Sequence, residues 1–366
     1  MTITSSLISQ KSIIGSILGT AVGDALGLPC EGLSIRRQKK MFPDLTKFHF
    51  LPNRGMTSDD TEHTCMVAQA MIDSKGEVLA FSKNLSWRFR FWLTRLPAGI
   101  GKATLMAILK LWIGYSSDKS GVFSAGNGPA MRSAIIGVCY GHDNDRLIKM
   151  IKASTIITHT DPKAELGSFA IALCAYLASI NQLKDISEEE YFNELKLRLP
   201  YTKETKEFFD IILKVINSVK EKQDITEFMK TIGLNNGVTG YIYHTLPVVL
   251  HVWFRNQTNY KKAILEVISC GGDTDTQAAI LGGIIGARVG KEGIPIQWLN
   301  SIWEWPCSVK WMEGLGNKLY KVLSNEKDFI DSNDNLIIFI PALLIRNLFF
   351  MIIVLLHGYR RLLPPY

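Results

Sequence analysis

Along most of this 366-residue chain the apolar positions recur every three or four residues, the spacing of one face of a helix. The pattern predicts helices over 61–74, 161–180, 208–219 and 276–289. Alternating apolar and polar runs, the mark of a half-buried strand, are scarce, so the expected fold is all-α. Residues 182–231 are much richer in Lys and Glu than their surroundings, which predicts solvated outer helices.

Two stretches depart from this pattern. Near the start, Gly15, Gly19, Gly23 and Gly27 recur every four residues and share one helix face, where a second helix could approach closely. Lys11 ahead of an apolar run mimics a secretory signal. Ten uncharged residues precede that lysine, however, and the glycine period suits a folded helix better. At the other end, the polar run SNEKDFIDSNDN (324–335) reads as a linker between a domain at 11–323 and an apolar tail at 336–366. The tail is long enough to span a bilayer, but Pro341, Arg346 and Asn347 interrupt it, which suits a simple span poorly. With Arg360 and Arg361 behind it, it reads either as an interfacial membrane segment or as a core or oligomer contact.

Composition changes the picture only a little. At 47% hydrophobic and 20% charged residues the chain can bury a sizeable core, which excludes a mostly disordered protein. The net charge of +7 is dispersed rather than gathered into an aromatic-bearing stripe, so nucleic acid is not indicated. Six cysteines without CxxC spacing sit mostly among apolar neighbours, the usage of a reducing cytoplasm.

The candidate chemistry lies in two acidic clusters far apart in sequence. In GMTSDDTEHT, Ser58, Asp59 and Asp60 stand at the threshold of a helix. In GGDTDTQAAILGG, Asp273, Asp275 and Thr276 open a helix rich enough in Ala, Gly and Ile to be buried. Helix capping accounts for one acid per helix, and Asp59 with Glu62 has capping-box spacing. It does not account for two, since a like-charged neighbour makes a second carboxylate costly where water is scarce. A hard divalent cation would offset that cost, and no histidine or cysteine spacing favours zinc.

Glycine loops supply weaker signals. AGIGKAT (98–104) lacks the Gly and Ser or Thr that a Walker A loop needs, because Leu96 and Ala103 occupy those positions. Its backbone, like that of SAGNGPAMRSA (124–134), could still approach a phosphate. No GxSxG, HExxH or Cys–His pairing is evident. His159, in ITHTDP, stands out as either a structural or a ligand-contacting histidine. His49, His142, His244, His251 and His357 read as structural.

Taken in order, GTAVGDALGLPCEG, GMTSDDTEHT, GIGKAT, GNGPAMRSA, THTDP and GGDTDTQAAILGGIIGARVG resemble the ADP-ribosylglycohydrolase family, including its dinitrogenase reductase-activating type, over about residues 11–320. The resemblance implies one compact multi-helix domain. It also implies two Mg²⁺ or Mn²⁺ ions held by Ser58, Asp59, Asp60, Asp273, Asp275 and Thr276. Ser58 stands where many relatives have Thr and keeps the hydroxyl oxygen. Glu31 matches a glutamate near metals and ribose. Gly99, Gly101, Thr104, Gly126, Asn127, Gly128 and His159 match the loops that hold the rest of ADP-ribose. The implied activity is metal-dependent hydrolysis of the bond between ADP-ribose and an acceptor, carried by a protein or a small molecule, with an arginine side chain one candidate. Asp60, Asp275 or Glu31 would serve as acid or base. The competing readings are a non-catalytic ADP-ribose binder and a regulator held peripherally at a membrane by the tail.

Overall fold

The computed structural model describes residues 8–324, 336 and 338–365. Residues 325–335 of the expected linker lie outside the described residues. Among those described there are seventeen α-helices and no strand, only isolated bridges. In chain order the helices are α1 (Gln10–Gly27), α2 (Ile35–Met41), α3 (Asp59–Ser74), α4 (Val78–Leu93), α5 (Lys102–Trp112), α6 (Ala134–Tyr140), α7 (Asn144–Ile156), α8 (Pro162–Ile180) and α9 (Glu188–Arg198). There follow α10 (Lys203–Lys220), α11 (Ile225–Thr231), α12 (Ile242–Arg255), α13 (Tyr260–Ile268), α14 (Thr274–Val289), α15 (Ile296–Ser301), α16 (Val309–Leu323) and α17 (Ile340–Arg360).

The fold is organised around the contact of α1 with α14, and the glycines explain it. A Cβ on Gly15, Gly19 or Gly23 would lie 2.1, 2.1 or 2.0 Å from the carbonyl oxygens of Gly286, Gly282 and Ala278. No side chain fits in that gap, so the two backbones touch along three turns, as the four-residue period predicted. Both helices are buried almost throughout, which is why neither shows a polar face in the sequence. Their contact also sets the site, because it places Asp24 and the turn at Leu28–Cys30 beside the acidic start of α14.

Around this pair α3, α6, α8, α12, α13 and α16 complete one continuous apolar core. The Lys- and Glu-rich stretch forms α9, α10 and α11 on the outside, each started by a reciprocal capping box. All six cysteines are free thiols, five of them buried.

The tail does not stand apart. Helix α17 packs one face onto the domain through Leu343, Arg346, Asn347 and Phe350. Phe350 joins Leu28, Phe50 and Met56 in a small apolar cluster of its own. The two polar residues that interrupt the tail's hydropathy are thus buried beside Leu343 and Phe350, and most of its other apolar residues face outward.

Candidate active site

The helix starts leave their acids unspent. Ser58 is the cap of α3, its Oγ accepting from the backbone N–H of Asp60, so neither Asp59 nor Asp60 is needed there. Asp273 occupies the cap position of α14 without accepting a capping bond; its Oδ2 instead accepts from Asn127 Nδ2 at 2.6 Å. Capping therefore does not account for these carboxylates.

The fold brings the two clusters together. Thr276 Oγ1 donates to Asp60 Oδ2 at 3.3 Å and Ser58 Oγ to the same oxygen at 3.1 Å, joining α3 to α14 across 216 residues. A buried carboxylate that sequence reasoning missed, Asp24 of α1, lies beneath them. It accepts from the backbone N–H groups of Ser58 and Thr61 and from Thr61 Oγ1. Burial raises its pKa to about 7 against those hydrogen bonds. Its only signal in the sequence is an acid alone among small apolar residues in GTAVGDALG.

Electrostatics confirm how crowded the cluster is. Asp59, Asp60 and Asp275 are all pushed well above the usual carboxylate range, first by burial and then by one another and by Asp24, Glu31 and Asp273. Glu31 opens onto the cleft yet is also raised. Desolvation leads there, the Asp273 carboxylate adds to it, and the Arg361 guanidinium opposes it. Asp60 Oδ1 and Asp275 Oδ1 are buried without a hydrogen-bond partner among the described residues. Two orphaned carboxylate oxygens beside hydroxyl oxygens form the all-oxygen donor set that a hard divalent cation accepts. As they stand, no three acidic, histidine or cysteine side chains among the described residues are grouped to hold an ion. The donor chemistry fits a cation, although no ligand cage is assembled.

Above the acids lies a cleft of about 810 Å³. Every predicted site residue lines it except Asp60, which is 1% exposed beneath its floor. Glu31, Ser58, Asp59, Asp273, Asp275 and Thr276 form one part, while Gly99, Gly101 and Thr104 at the start of α5 and Gly126, Asn127 and Gly128 form another. A Cβ at Gly99 or Gly101 would meet nothing, so those glycines leave open space, and Gly99 at φ +80° also needs its freedom. At Gly126 a Cβ would stand 2.9 Å from His159 Nε2, so only glycine lets the imidazole reach the cleft there.

His159 is held by a relay. Arg132, fully buried, donates Nη2–H to Thr158 Oγ1 at 2.8 Å, and that hydroxyl lies 2.9 Å from His159 Nδ1. The Thr158 hydroxyl has a second lone pair, and its proton has another acceptor in Thr155 O at 3.5 Å, so it pairs with Nδ1 in either tautomer of the ring, and Nε2 faces the glycine loop. Burial, with Arg132 adding to it, lowers the His159 pKa to about 3 and keeps the ring neutral. The remaining histidines do other work: His251 stacks on Phe228, and His357 stacks on Phe50 while bonding its carbonyl.

Sequence reasoning also missed two walls of the cleft. Residues 236–240 close one side, with Gly240 O accepting from Asn127 N at 2.8 Å. On another, α17 contributes Phe350 and Val354. No local motif marks either, because each wall is set by packing between distant segments.

Comparison with known proteins gives the family. The sequence model described as ADP-ribosylglycohydrolase matches residues 5–328. The chain belongs to the ADP-ribosylglycohydrolase family. Its members, this chain included, are hydrolases of the glycosidic bond to ADP-ribose. The chain is 26% identical to the ADP-ribosyl-[dinitrogen reductase] glycohydrolase of Rhodospirillum rubrum, over 79% of this chain and 89% of that protein. It is 27% identical to the ADP-ribosylhydrolase ARH3 of Xenopus tropicalis, over 84% and 95%. A solved ADP-ribosylglycohydrolase-related protein complex shares the fold at a TM-score of 0.62 and 23% identity, covering 86% of this chain and 98% of its own. The family match stops before α17, so that wall of the cleft lies beyond the shared region.

Proposed function

We propose that this enzyme releases ADP-ribose from the guanidinium nitrogen of an arginine side chain on a protein, with two divalent cations, Mg²⁺ or Mn²⁺, bound between the acidic clusters. One observation carries the reading: six carboxylates, Asp24, Glu31, Asp59, Asp60, Asp273 and Asp275, converge at one end of the cleft. That field favours cations and a positively charged leaving group over an anionic one. The name of the Rhodospirillum relative, with a protein as its acceptor, points the same way.

The reaction adds water across the glycosidic bond. The C1–N bond of the ribose breaks as oxocarbenium-like charge develops, water oxygen bonds to C1, and the proton that water loses ends on the departing guanidine. Ser58, Asp59, Asp60, Asp273, Asp275 and Thr276 would hold the cations, which supply Lewis-acid polarisation of water and fix ribose hydroxyls. Of the three candidate acids and bases, Glu31 is best placed to pass the proton, because it opens onto the cleft and its raised pKa lets it both take and give one. Asp275 lines the cleft but stands among the ion ligands, and Asp60 lies beneath the floor. Gly99, Gly101, Thr104, Gly126, Asn127 and Gly128 bind the diphosphate and adenosine side, with His159 Nε2 turned toward them.

The five buried free thiols are consistent with a reducing cytoplasm as the working compartment. The test is release of free ADP-ribose from arginine-ADP-ribosylated protein by the purified full-length chain, with Mg²⁺, with Mn²⁺ and with chelator. Metal-dependent release is expected. Release unaffected by chelator would defeat the metal assignment; tight ADP-ribose binding without release would defeat the arginine linkage.

A further inference from the structure

Among the described residues, three helices are long and apolar enough to cross a membrane by length and composition, and they differ in where their apolar residues go. In α1 and α8 the most apolar window is 94% and 72% buried, so packing accounts for their composition. In α17 only 22% is buried. Ile345, Leu348, Ile352, Leu355, Leu356 and Tyr359, spaced three and four apart, form one outward stripe. The charged and polar residues Arg346 and Asn347 are turned inward onto the domain. An ordinary surface helix has the opposite arrangement.

A second feature lies at the C-terminal end of this stripe. Arg361, just past α17, gives its carbonyl to Arg37 of α2 and its guanidinium to Pro29 O at 3.2 Å. This brings α2, with the sequence IRRQKKM and no acid, against the end of the apolar helix. Arg36 and Lys39 of α2 and Arg360 of α17 are exposed there.

We propose that the outward face of α17, together with the basic residues of α2, docks the protein on an anionic lipid surface. An apolar helix face bordered by exposed cations is the combination by which interfacial helices bind acidic headgroups while burying side chains at the acyl boundary. The helix lies in the surface and does not cross it, because Arg346 and Asn347 are held in the domain by hydrogen bonds to Thr57 and Arg95. The inner side of the same helix supplies Phe350 and Val354 to the cleft, so docking would set the cleft beside the membrane. This inference goes beyond the proposed hydrolysis and does not depend on the acceptor.

The experiment is co-sedimentation of the full chain with phosphatidylcholine vesicles and with vesicles that also hold phosphatidylglycerol, at low and high salt, together with its solution mass by light scattering. The expected result is binding to the anionic vesicles that weakens with salt. Ile352→Lys with Leu356→Lys, and separately Arg36→Glu with Lys39→Glu, should each reduce it by about tenfold or more. Hydrolase activity on a soluble substrate should stay unchanged in both variants, which separates this test from that of the reaction. A wild-type chain left in the supernatant with both vesicles would overturn the proposal. So would a dimer that Ile352→Lys with Leu356→Lys converts to monomer, since the face would then belong to a second copy.

Discussion

Arg346 and Glu304 form a buried, two-point ion pair, Nε to Oε2 at 3.1 Å and Nη2 to Oε1 at 2.5 Å, with each side chain 4% exposed. The pair is wired to the first acidic cluster. Glu304 Oε1 also accepts from Thr57 N at 2.7 Å, and Arg346 Nη2 also donates to Thr57 O. Both backbone groups of the residue before Ser58 are therefore held by one salt bridge. Burial works against the Arg346 charge, but Glu304 and Glu62 outweigh it and raise the pKa. The arginine that disqualifies α17 as a simple span thus ties it to the site.

Arg346→Met should be strongly destabilising, by about 3–5 kcal/mol, because it leaves the Glu304 charge buried without its counter-ion. Adding Glu304→Gln removes that orphaned charge and should recover most of the melting temperature. The Thr57 carbonyl still lacks its donor in the double variant, so kcat should remain several-fold down. Denaturation and turnover measured on the same samples decide it. Wild-type turnover in the double variant would mean that Arg346 only packs. For the same reason, a chain cut at residue 330 exposes Leu28, Phe50 and Met56 and should be less stable and less active than the full chain.

Asp60→Asn and Asp275→Asn should each abolish turnover while the fold is kept. Without divalent cations each should also raise the melting temperature at neutral pH, because Asn removes a buried charge from a repelling cluster. The sign follows from linkage. A carboxyl whose folded pKa is raised lends stability below its unfolded pKa and loses it as pH rises through the folded value. The wild type's deficit against Asp275→Asn should therefore close as the pH is lowered from about 8 toward 4. Thermal scans in chelator across that range check it, and a deficit that widens at low pH would refute the electrostatic account. Saturating Mg²⁺ should reverse the order of stability at neutral pH, since only the wild type keeps the full ligand set.

Much of this arrangement is legible in the sequence, for identifiable reasons. The α1 glycines announce a close helix contact because a four-residue period has one physical use on a helix face. The paired acids announce a site because two carboxylates at one buried helix start are costly without a function. Asp24 escapes notice because a single acid in an apolar helix has no periodic or paired signature; its role comes from Ser58 and Thr61, 34 and 37 residues away. The second wall of the cleft escapes for the same reason: hydropathy reports that α17 is apolar, and only packing shows which face is turned inward.

The α1–α14 contact should tolerate no side chain. At Gly19 and Gly282 an added Cβ would stand 2.1 and 2.2 Å from the partner helix's carbonyl oxygen, and neither backbone can yield without moving the acids it carries. Gly19→Ala and Gly282→Ala should each cost about 3 kcal/mol or more, above the usual range for overpacking. Gly101→Ala, where a Cβ meets nothing within 4 Å, should leave stability nearly unchanged and serves as the control. Equal melting temperatures for all three variants would show that the helices separate more easily than this contact implies.

The His159 imidazole should be a binding determinant that pH does not touch. With the imidazole pKa lowered to about 3, the ring stays neutral, and no inflection in ADP-ribose affinity between about pH 5 and 8 should come from it. What holds the ring is Thr158, whose hydroxyl is hydrogen-bonded to Nδ1 at 2.9 Å. Thr158→Val removes that hydroxyl at nearly constant volume, freeing the ring to turn away from the glycine loop. ADP-ribose should then bind roughly tenfold more weakly, the loss of about one hydrogen bond, and the melting temperature should also fall, because buried Arg132 loses an acceptor. Titration calorimetry on Thr158→Val and His159→Phe separates the two effects. If Thr158→Val binds like wild type while His159→Phe does not, the imidazole nitrogen acts without help from Thr158 and the relay from Arg132 is structural.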